Sequence, residues 1–231
     1  MRAGPQDPPD GPVGRLAPSP TGLLHLGHAR SFLLAWWSAR ARGGRVVLRI
    51  EDLDTQRARP ELVEDCLRDL EWLGLDWDGP PRRSSQDTSA LERACTELLQ
   101  GGLAYPCVCT RAEIAALSAP HAGEGEVRYP GTCRGRWRTL EAARTESGRE
   151  PGLRLAVEPG PIEVTDRLHG RVTFDVHAEV GDFGVRRRDG AFAYQLAVVV
   201  DDASDGVTEV LRGEDLLPSA ARQALVMTAL G

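Results

Sequence analysis

GRLAPSPTGLLHLGHARSFLLAWWSARARGGRVVLRIEDLD, residues 14–54, is the stretch that decides the fold. Val13 to Ala17 predicts a short strand, and a turn that contains two prolines leads from it into a long helical pattern. Gly43 and Gly44 end that helix, and Arg45 to Ile50 is then an apolar run typical of a buried parallel strand. The order of strand, turn, helix and strand predicts half of a nucleotide-binding α/β unit, whose ligands lie beyond the carboxyl ends of the strands.

The predicted helix carries large apolar residues at spacings of three and four, and we expect them to form its buried face. These residues are Leu26, Ala29, Leu33, Trp36 and Trp37. His25 and His28 lie at or before the first turn, where unpaired N–H groups and the positive end of the helix dipole favour a phosphate. Two histidines placed there can hold the charge that builds on an α-phosphate under attack.

The composition fits a globular enzyme. The chain has 231 residues, of which 41% are hydrophobic, enough for one large domain or a domain with an insertion. A formal net charge of -6 argues against sequence-blind nucleic-acid binding. Five cysteines, an odd number, fit the reducing cytoplasm better than a disulfide framework, and no pattern predicts a signal peptide or a membrane span. We therefore expect a cytoplasmic protein that does not bind membranes.

All 28 basic residues are arginine. The absence of lysine excludes a Walker-A phosphate loop and a Schiff-base lysine from this chain. Further along, Pro60 to Leu73 and Leu91 to Leu99 predict two amphipathic helices, with Cys66 and Cys95 facing the core. Leu153 to Val157 and Val172 to Val176 alternate as strands.

Three other cysteines have the spacing of metal ligands. Cys107 and Cys109 are one residue apart, and Cys133 returns through a tight Pro-Gly turn. Three thiolates arranged in this way can close three corners of a zinc tetrahedron, and the fourth ligand must come from elsewhere. Three free thiols in a loop are the alternative. Just beyond them, Arg134, Arg136 and Arg138 form a basic cluster beside Trp137, which either meets RNA or is a solvated face.

Several motifs together resemble one family. His25-Leu26-Gly27-His28 resembles the HIGH signature of class I aminoacyl-tRNA synthetases, and the string APSPTG…HLGHAR…LRIEDLD resembles their glutamate-activating branch. The pair YQLAVVVDD and VTEVLRGEDL resembles the same branch, so the resemblance extends from Gly14 to the end. It implies an α/β fold, a Rossmann-like class I aminoacyl-tRNA synthetase catalytic domain with a zinc-binding insertion.

The resemblance also implies a division of the chain. We expect the first half of the catalytic domain at 13–100, the zinc-bearing insertion at 101–190 and an incomplete second half at 191–231. Residues 1–12 lie outside the resemblance, and their Pro, Gly and Asp content predicts a flexible tail. Synthetases of this branch carry a KMSKS-type loop whose lysines hold the leaving pyrophosphate. This chain reaches Gly231 without one, and we expect it to be truncated before that motif.

The zinc ligands follow from the same comparison. In the glutamyl-queuosine tRNA(Asp) synthetases the pattern is Cys-x-Cys…Tyr-x-x-x-Cys, and Tyr129 and Cys133 match its second half. The resemblance implies one structural zinc held by Cys107, Cys109, Tyr129 and Cys133. Bacterial glutamyl-tRNA synthetases can use a histidine two residues after the last cysteine, but that position is Gly135 here. His121 is the rival fourth ligand.

A glutamate site must neutralise two carboxylates and one ammonium, because an unpaired charge in a dry pocket costs several kcal/mol. Arg15 and Arg212 are fork-shaped donors for carboxylates, Glu51 suits the ammonium, and Ser19 and Tyr194 can supply hydroxyls. The resemblance implies glutamate contacts at Arg15, Leu16, Ala17, Pro18, Ser19, Glu51, Tyr194 and Arg212. It implies catalysis by His25 and His28 and ATP binding by His25, Gly27 and His28.

Near the end, one segment fits both a strand and a helix. By propensity, Phe192 to Val200 looks like one buried strand, but the resemblance implies a brief strand up to about Tyr194 and a helix through Asp202, which we adopt. Gly206 to Arg212 predicts a second parallel strand, and a helix is predicted from Pro218 to Leu230.

The implied activity is activation of L-glutamate with ATP and Mg²⁺, followed by transfer to the queuosine base in the anticodon of tRNA(Asp), by a monomer. Three alternatives remain at this stage. The first is a glutamyl-tRNA synthetase that charges the 3′ end of tRNA(Glu). The second is a non-catalytic module that binds glutamate or adenylate. The third and weakest is a zinc-binding RNA adaptor.

Overall fold

The computed structural model describes residues 11–55, 57–117 and 127–231. They separate into two compact units. The first takes the described residues of Met1–Thr88 together with Val200–Leu216, and the second takes those of Ser89–Val199 together with Leu217–Gly231. Across the described ranges, no helix has both the length and the apolar character needed to cross a bilayer. The division into 1–12, 13–100, 101–190 and 191–231 stays a prediction.

The first unit is built on a parallel sheet with the strand order β1-β2-β3. Its elements are β1 (Val13–Leu16), α1 (Leu26–Arg40), β2 (Arg45–Ile50), α2 (Pro60–Trp72) and β3 (Arg82–Arg83). β1 and β2 pair from Val13 opposite Arg45 to Leu16 opposite Leu48. The predicted parallel α/β unit is therefore confirmed. Its core consists of Leu16, Ala35, Ala39, Val46, Leu48, Ile50, Val63, Leu70 and Leu75.

The predicted buried face of α1 is wrong. Leu26, Leu33 and Trp37 are exposed, by 86%, 43% and 61%, whereas Ala29 and Trp36 are half-buried. The helix buries Ala35 and Ala39 instead. A Cβ on Gly14 of β1 would stand 3.1 Å from the Cβ of Ala39, so small residues let the helix lie close to the sheet. Because α1 is apolar around most of its circumference, residue spacing did not reveal which side faces the strands.

The segment Gly206 to Arg212, predicted as a second parallel strand, is not a strand. It does lie along β1, where the carbonyl oxygen of Val13 accepts the N–H of Thr208 at 2.9 Å and that of Glu209 at 3.1 Å. The N–H of Val13 donates to the hydroxyl oxygen of Thr208 at 2.9 Å. The Thr208 hydroxyl thus accepts the bond that a backbone carbonyl would accept in a β-ladder. The segment therefore lies beside β1 without forming a strand.

The second unit combines an antiparallel sheet in the order β4-β5-β8 with a hairpin of β6 and β7. Its elements in chain order are α3 (Ser89–Gln100), β4 (Ala104–Cys107), α4 (Arg111–Leu117), α5 (Leu140–Ser147), β5 (Gly152–Leu155), β6 (Ile162–Asp166), β7 (Gly170–Phe174), α6 (Val176–Glu179) and β8 (Phe183–Arg186). The predicted strand to Val176 runs too far, because the Asp175 side chain accepts the N–H of Ala178 and caps α6.

Two helices complete the chain, α7 (Tyr194–Asp205) and α8 (Leu217–Leu230). The predicted helix in the AFAYQLAVVVDD segment is therefore confirmed, as is the C-terminal helix. The brief strand predicted before it is wrong, because Phe192 forms only an isolated bridge with Arg186. Leu196, Ala197, Val198 and Val199 are consecutive and all buried. A short apolar run of this kind has the same appearance in a buried strand and in a buried helix, which is why propensity alone indicated a strand. The last turns of α7 supply Asp201, Asp202 and Asp205 to the first unit.

Candidate active site and metal centre

Two histidines cap the amino end of α1. His25 is the N-cap residue, and its Nδ1 accepts the N–H of Gly27 at 3.1 Å. The Nδ1 of His28 accepts the N–H of His25 at 3.3 Å, and the two rings stack with centroids 3.8 Å apart. Burial, and then the neighbouring His25, lower the pKa of His28. An accepting Nδ1 places the proton of a neutral ring on Nε2, so both side chains present N–H donors suited to phosphate oxygens.

At the carboxyl ends of β1 and β2, a chain of polar contacts joins three predicted glutamate contacts. The Nε of the buried Arg15 donates to Asp202 Oδ1 at 2.8 Å. Arg49, which is fully buried, donates from one Nη2 atom to that same oxygen at 2.7 Å and to Glu51 Oε1 at 3.2 Å. The hydroxyl of Ser19 donates to Glu51 Oε2 at 3.4 Å. Arg15, Ser19 and Glu51 are thus linked through Arg49 and Asp202, which were not among the predicted glutamate contacts.

The same network continues away from Glu51. Arg49 Nη1 donates to Asp205 Oδ2 at 2.9 Å. Arg82 pairs with Asp201 at 2.8 Å and with Asp205 at 2.9 Å, and the hydroxyl of Ser84 donates to Asp201 at 2.7 Å. Burial alone would lower the pKa of Arg49, but Asp202 and Glu51 raise it, so the guanidinium stays charged.

The other predicted glutamate contacts lie in different surroundings. Leu16 and Pro18 are buried and Ala17 is half-buried. The Pro18 carbonyl accepts the N–H of Glu51 at 2.9 Å, which fixes the backbone of that residue. Arg212 is half-buried in the first unit, and Tyr194, which begins α7, belongs to the second. Their roles toward glutamate stay predictions, as does the role of Gly27 toward ATP.

The predicted metal ligands lie together in the second unit. The sulfur atoms of Cys107, Cys109 and Cys133 are within 4.8 Å of one another, and the last two are 3.5 Å apart. The Tyr129 hydroxyl is 3.4 Å from the sulfur of Cys107 and 3.6 Å from that of Cys109. A tetrahedral zinc ion with Zn–S bonds of about 2.3 Å separates its sulfurs by about 3.8 Å and a sulfur from an oxygen by about 3.5 Å. The four donor atoms fit such an ion, and the rival ligand His121 lies outside the described residues.

The backbone around Tyr129 is tightly held. Its N–H donates to the carbonyl of Val180 at 2.9 Å, and Tyr129 forms a bridge with Gly181. Gly181 has a φ of 72°, and a Cβ there would stand 2.4 Å from the Tyr129 carbonyl oxygen. Only glycine fits that position. Burial opposes ionisation of Cys133, but the N–H of Val108 and the Tyr129 hydroxyl lower its pKa.

Arg154 and Asp182 surround the cluster and were missed by the sequence analysis. The Nε of Arg154 donates to the sulfur of Cys107 at 3.3 Å, and its guanidinium carbon lies 3.9 Å from the centroid of the Tyr129 ring. Its Nη1 donates to the Asp182 carbonyl at 2.8 Å, and the Asp182 carboxylate accepts the N–H of Val157 at 2.7 Å. A cation beside several thiolates offsets their charge and orients them.

Comparison with known proteins decides the family. The family described as tRNA synthetases class I (E and Q), catalytic domain, matches residues 13–231. The chain belongs to this family of class I tRNA synthetases. Class I synthetases use ATP with magnesium. The two capping histidines of this synthetase lie at the amino end of α1, where the phosphates of the nucleotide are expected to bind.

Particular relatives narrow the comparison. The glutamyl-Q tRNA(Asp) synthetase of Nocardia farcinica is 51% identical to the present chain, and the match covers 98% of the present chain and 70% of the relative. That of Symbiobacterium thermophilum is 50% identical over 94% of the chain and 70% of the relative. The crystal structure of the glutamate-tRNA synthetase of Elizabethkingia anophelis matches with a TM-score of 0.82 and 32% identity, over 96% of the chain and 48% of that structure.

The basic cluster of this synthetase is largely paired within the second unit. Arg134 forms ion pairs with Glu158 and Asp182. Arg136 pairs with Glu146 at 3.5 Å, and its guanidinium carbon lies 4.3 Å from the centroid of the Trp137 ring. The pairing favours a solvated structural role for these two arginines over direct contact with RNA.

Replacement of Tyr129 by phenylalanine tests the fourth ligand. The variant keeps the ring beneath Arg154 but loses the oxygen, so we expect zinc affinity to fall by at least about a hundredfold, the upper end of what loss of an outer contact costs. Competition with a chromogenic chelator measures it. Tyr194→Phe, which removes a hydroxyl from the exposed start of α7, should bind zinc like the parent. Equal affinity in Tyr129→Phe would transfer the ligand role to His121 or to water.

Proposed function

We propose that this chain activates L-glutamate with ATP and transfers it to the queuosine base in the anticodon of tRNA(Asp). The observation that carries the proposal is the identity of about half of all residues with glutamyl-Q tRNA(Asp) synthetases, over 98% of the chain for the Nocardia relative. The contacts that join Arg15, Asp202, Arg49 and Glu51 support it. A guanidinium that can donate to a substrate carboxylate and a carboxylate that can accept from a substrate ammonium belong to one network at neighbouring strand ends.

In the first step, the α-carboxylate of glutamate attacks the α-phosphorus of ATP. A new phosphorus–oxygen bond forms, the bond to the β-phosphate oxygen breaks, and pyrophosphate leaves with its electron pair. His25 and His28 donate from Nε2 to the phosphate oxygens as negative charge builds on them. Magnesium, when bound with ATP, neutralises phosphate charge. The Arg15 guanidinium holds a glutamate carboxylate, and Glu51 holds the ammonium.

In the second step, a nucleophilic group of the queuosine base forms a bond to the carbonyl carbon of glutamyl-adenylate. The bond from that carbon to the phosphate oxygen breaks, AMP leaves with the electron pair, and the proton of the nucleophile is released to solvent. We propose that the metal is one structural zinc held by Cys107, Cys109, Tyr129 and Cys133, because their separations match a zinc tetrahedron. The ion orders the segment that carries its ligands and takes no part in either step. We propose a cytoplasmic monomer that acts on free glutamate.

The acceptor is tested by the position of the label. Radiolabelled glutamate and ATP are incubated with the protein and tRNA(Asp), and the RNA is cut with nuclease. We expect label in the anticodon-loop fragment, at a level at least about a hundredfold above that of tRNA(Asp) with unmodified guanine at the wobble position. The reason is that a site built around a polar group rejects the analogue that lacks it.

The matched control is tRNA(Glu) treated in the same way. Label at its 3′ adenosine would make the chain part of a glutamyl-tRNA synthetase. That candidate is favoured only by the 32% identity to the Elizabethkingia structure, which is below the identity to the glutamyl-Q relatives.

A further inference from the structure

Arg49 is a fully buried charge near the carboxyl end of the apolar strand β2. Its side chain has no exposed surface, and it lies between Leu48 and Ile50, which are buried too. An arginine is almost never buried completely unless it is paired, because removal of its charge from water costs several kcal/mol. Every described ion pair of Arg49 is with a carboxylate of the first unit. These carboxylates offset the cost of burying the charge, and they include Glu51, a predicted glutamate contact.

The contacts of Arg49 reach both halves of the glutamate site. One nitrogen, Nη2, donates to Glu51 Oε1 and to Asp202 Oδ1. Arg15 Nε donates to that same oxygen of Asp202. With Oε1 of Glu51 engaged, the second oxygen, Oε2, is turned toward Ser19. One guanidinium therefore orients the ammonium acceptor directly and the carboxylate donor through one shared oxygen.

We propose that Arg49 is the positioning residue of the glutamate site, which turns Oε2 of Glu51 toward the substrate ammonium and, through Asp202, aims the guanidinium of Arg15 at a substrate carboxylate. This inference rests on the roles of Arg15 and Glu51 in the function proposed above. It assigns to Arg49 and Asp202 no contact with the substrate itself.

The charges around Glu51 give the inference a pH signature. Arg49 faces it from β2, Arg15 from β1, Asp202 from α7 and the Ser19 hydroxyl from the turn after β1. Burial raises the pKa of Glu51, Asp202 raises it further, and Arg49 followed by Arg15 lower it. Protonated Glu51 cannot hold an ammonium ion, so glutamate binding weakens as pH falls through this pKa. Without Arg49 the pKa is higher, and binding is lost at a higher pH.

Two variants separate charge from geometry. Arg49→Met removes both, so the pH midpoint of glutamate binding should rise by about one unit or more, as expected when an opposite charge is removed from a carboxylate. Arg49→Lys keeps the charge but loses the fork that reaches Glu51 and Asp202 together. We expect its midpoint to stay near that of the parent and its glutamate affinity to fall about tenfold, as for the loss of one hydrogen bond to a charged group.

Arg82→Met is the matched control. Arg82 shares Asp201 and Asp205 with Arg49, and within the part of the chain that the structure describes its ion pairs are with these two carboxylates and not with Glu51 or Asp202. The Arg82→Met variant removes an arginine from the same network, so a general loss of stability would appear in both Arg82→Met and Arg49→Met. Only the loss of the charge beside Glu51 should move the pH midpoint, so Arg82→Met should keep the midpoint of the parent.

The experiment is calorimetric titration of the full chain with L-glutamate and with glutarate, which lacks the ammonium, from about pH 5 to about pH 8. Parent, Arg49→Met, Arg49→Lys and Arg82→Met are compared, and the ionisation of each ligand is common to all four. We expect the parent to prefer glutamate and Arg49→Met to lose that preference at a higher pH. If Arg49→Met does not fold, the affinity of Arg49→Lys decides.

The two possible failures are distinguishable. A parent that binds glutarate as tightly as glutamate would overturn the role of Glu51 in the proposed function, and this inference with it. A parent that prefers glutamate, together with an unchanged midpoint in Arg49→Met or an unchanged affinity in Arg49→Lys, would overturn the positioning role alone.

Discussion

Replacement of Cys133 by serine is expected to release the bound metal and to unfold the segment of the second unit that carries its ligands. Cys133 is 1% exposed, and its N–H donates to the Tyr129 hydroxyl at 2.9 Å, so it joins two of the four proposed ligands. Structural zinc contributes on the order of 10 kcal/mol to the folding of a small site. Metal content per chain and thermal unfolding followed by circular dichroism measure the effect.

The control for this variant is Cys95→Ser. Cys95 is also buried in the second unit, on α3, but it is not one of the three clustered cysteines. Its replacement buries an additional hydroxyl, at a cost of about 1 to 3 kcal/mol, and should leave the metal in place. Stoichiometric zinc retained in Cys133→Ser would contradict the assignment of the site.

Glutamine is expected to bind two to three decades more weakly than glutamate. An amide in place of the side-chain carboxylate leaves a buried guanidinium without its charged partner, which costs roughly 2 to 4 kcal/mol. Arg15 is 6% exposed and uses Nε for Asp202. Among the described residues its two terminal nitrogens have no hydrogen-bond partner, so they can donate to a ligand carboxylate. Calorimetry with the two amino acids measures the difference, and equal affinities would overturn the pocket.

Variants of the two proposed arginines refine this result. Arg212→Ala and Arg15→Ala should each lose glutamate binding while ATP still binds, because neither residue belongs to the helix terminus that receives the phosphates. Arg45→Ala is the control, since Arg45 is exposed at the start of β2 in the same unit. If Arg45→Ala weakens glutamate binding as much as Arg15→Ala does, the effect is one of net charge and not of a specific contact.

The cysteine cluster was predictable because two of its ligands are neighbours along the chain. The strand β4 ends at Cys107, and Cys109 follows two residues later, so local backbone geometry nearly fixes their separation. The partners around them were not predictable. Arg154 reaches Cys107 across 47 positions, and neither β-propensity nor the alternation of β5 indicates that an arginine side chain will lie over a tyrosine ring.

By itself, the sequence determined the parallel α/β unit, the histidine-bearing helix terminus and the three clustered cysteines, because these depend on periodicity and on short spacings that the backbone converts directly into geometry. Only the tertiary structure decided which face of α1 is buried, why 206–212 is not a strand and what Arg49 pairs with. Arg49 and Asp202 are 153 positions apart. An arginine in an apolar strand indicates that a buried carboxylate must pair with it. The sequence contains several carboxylates that could do so, and only packing in three dimensions selects among them.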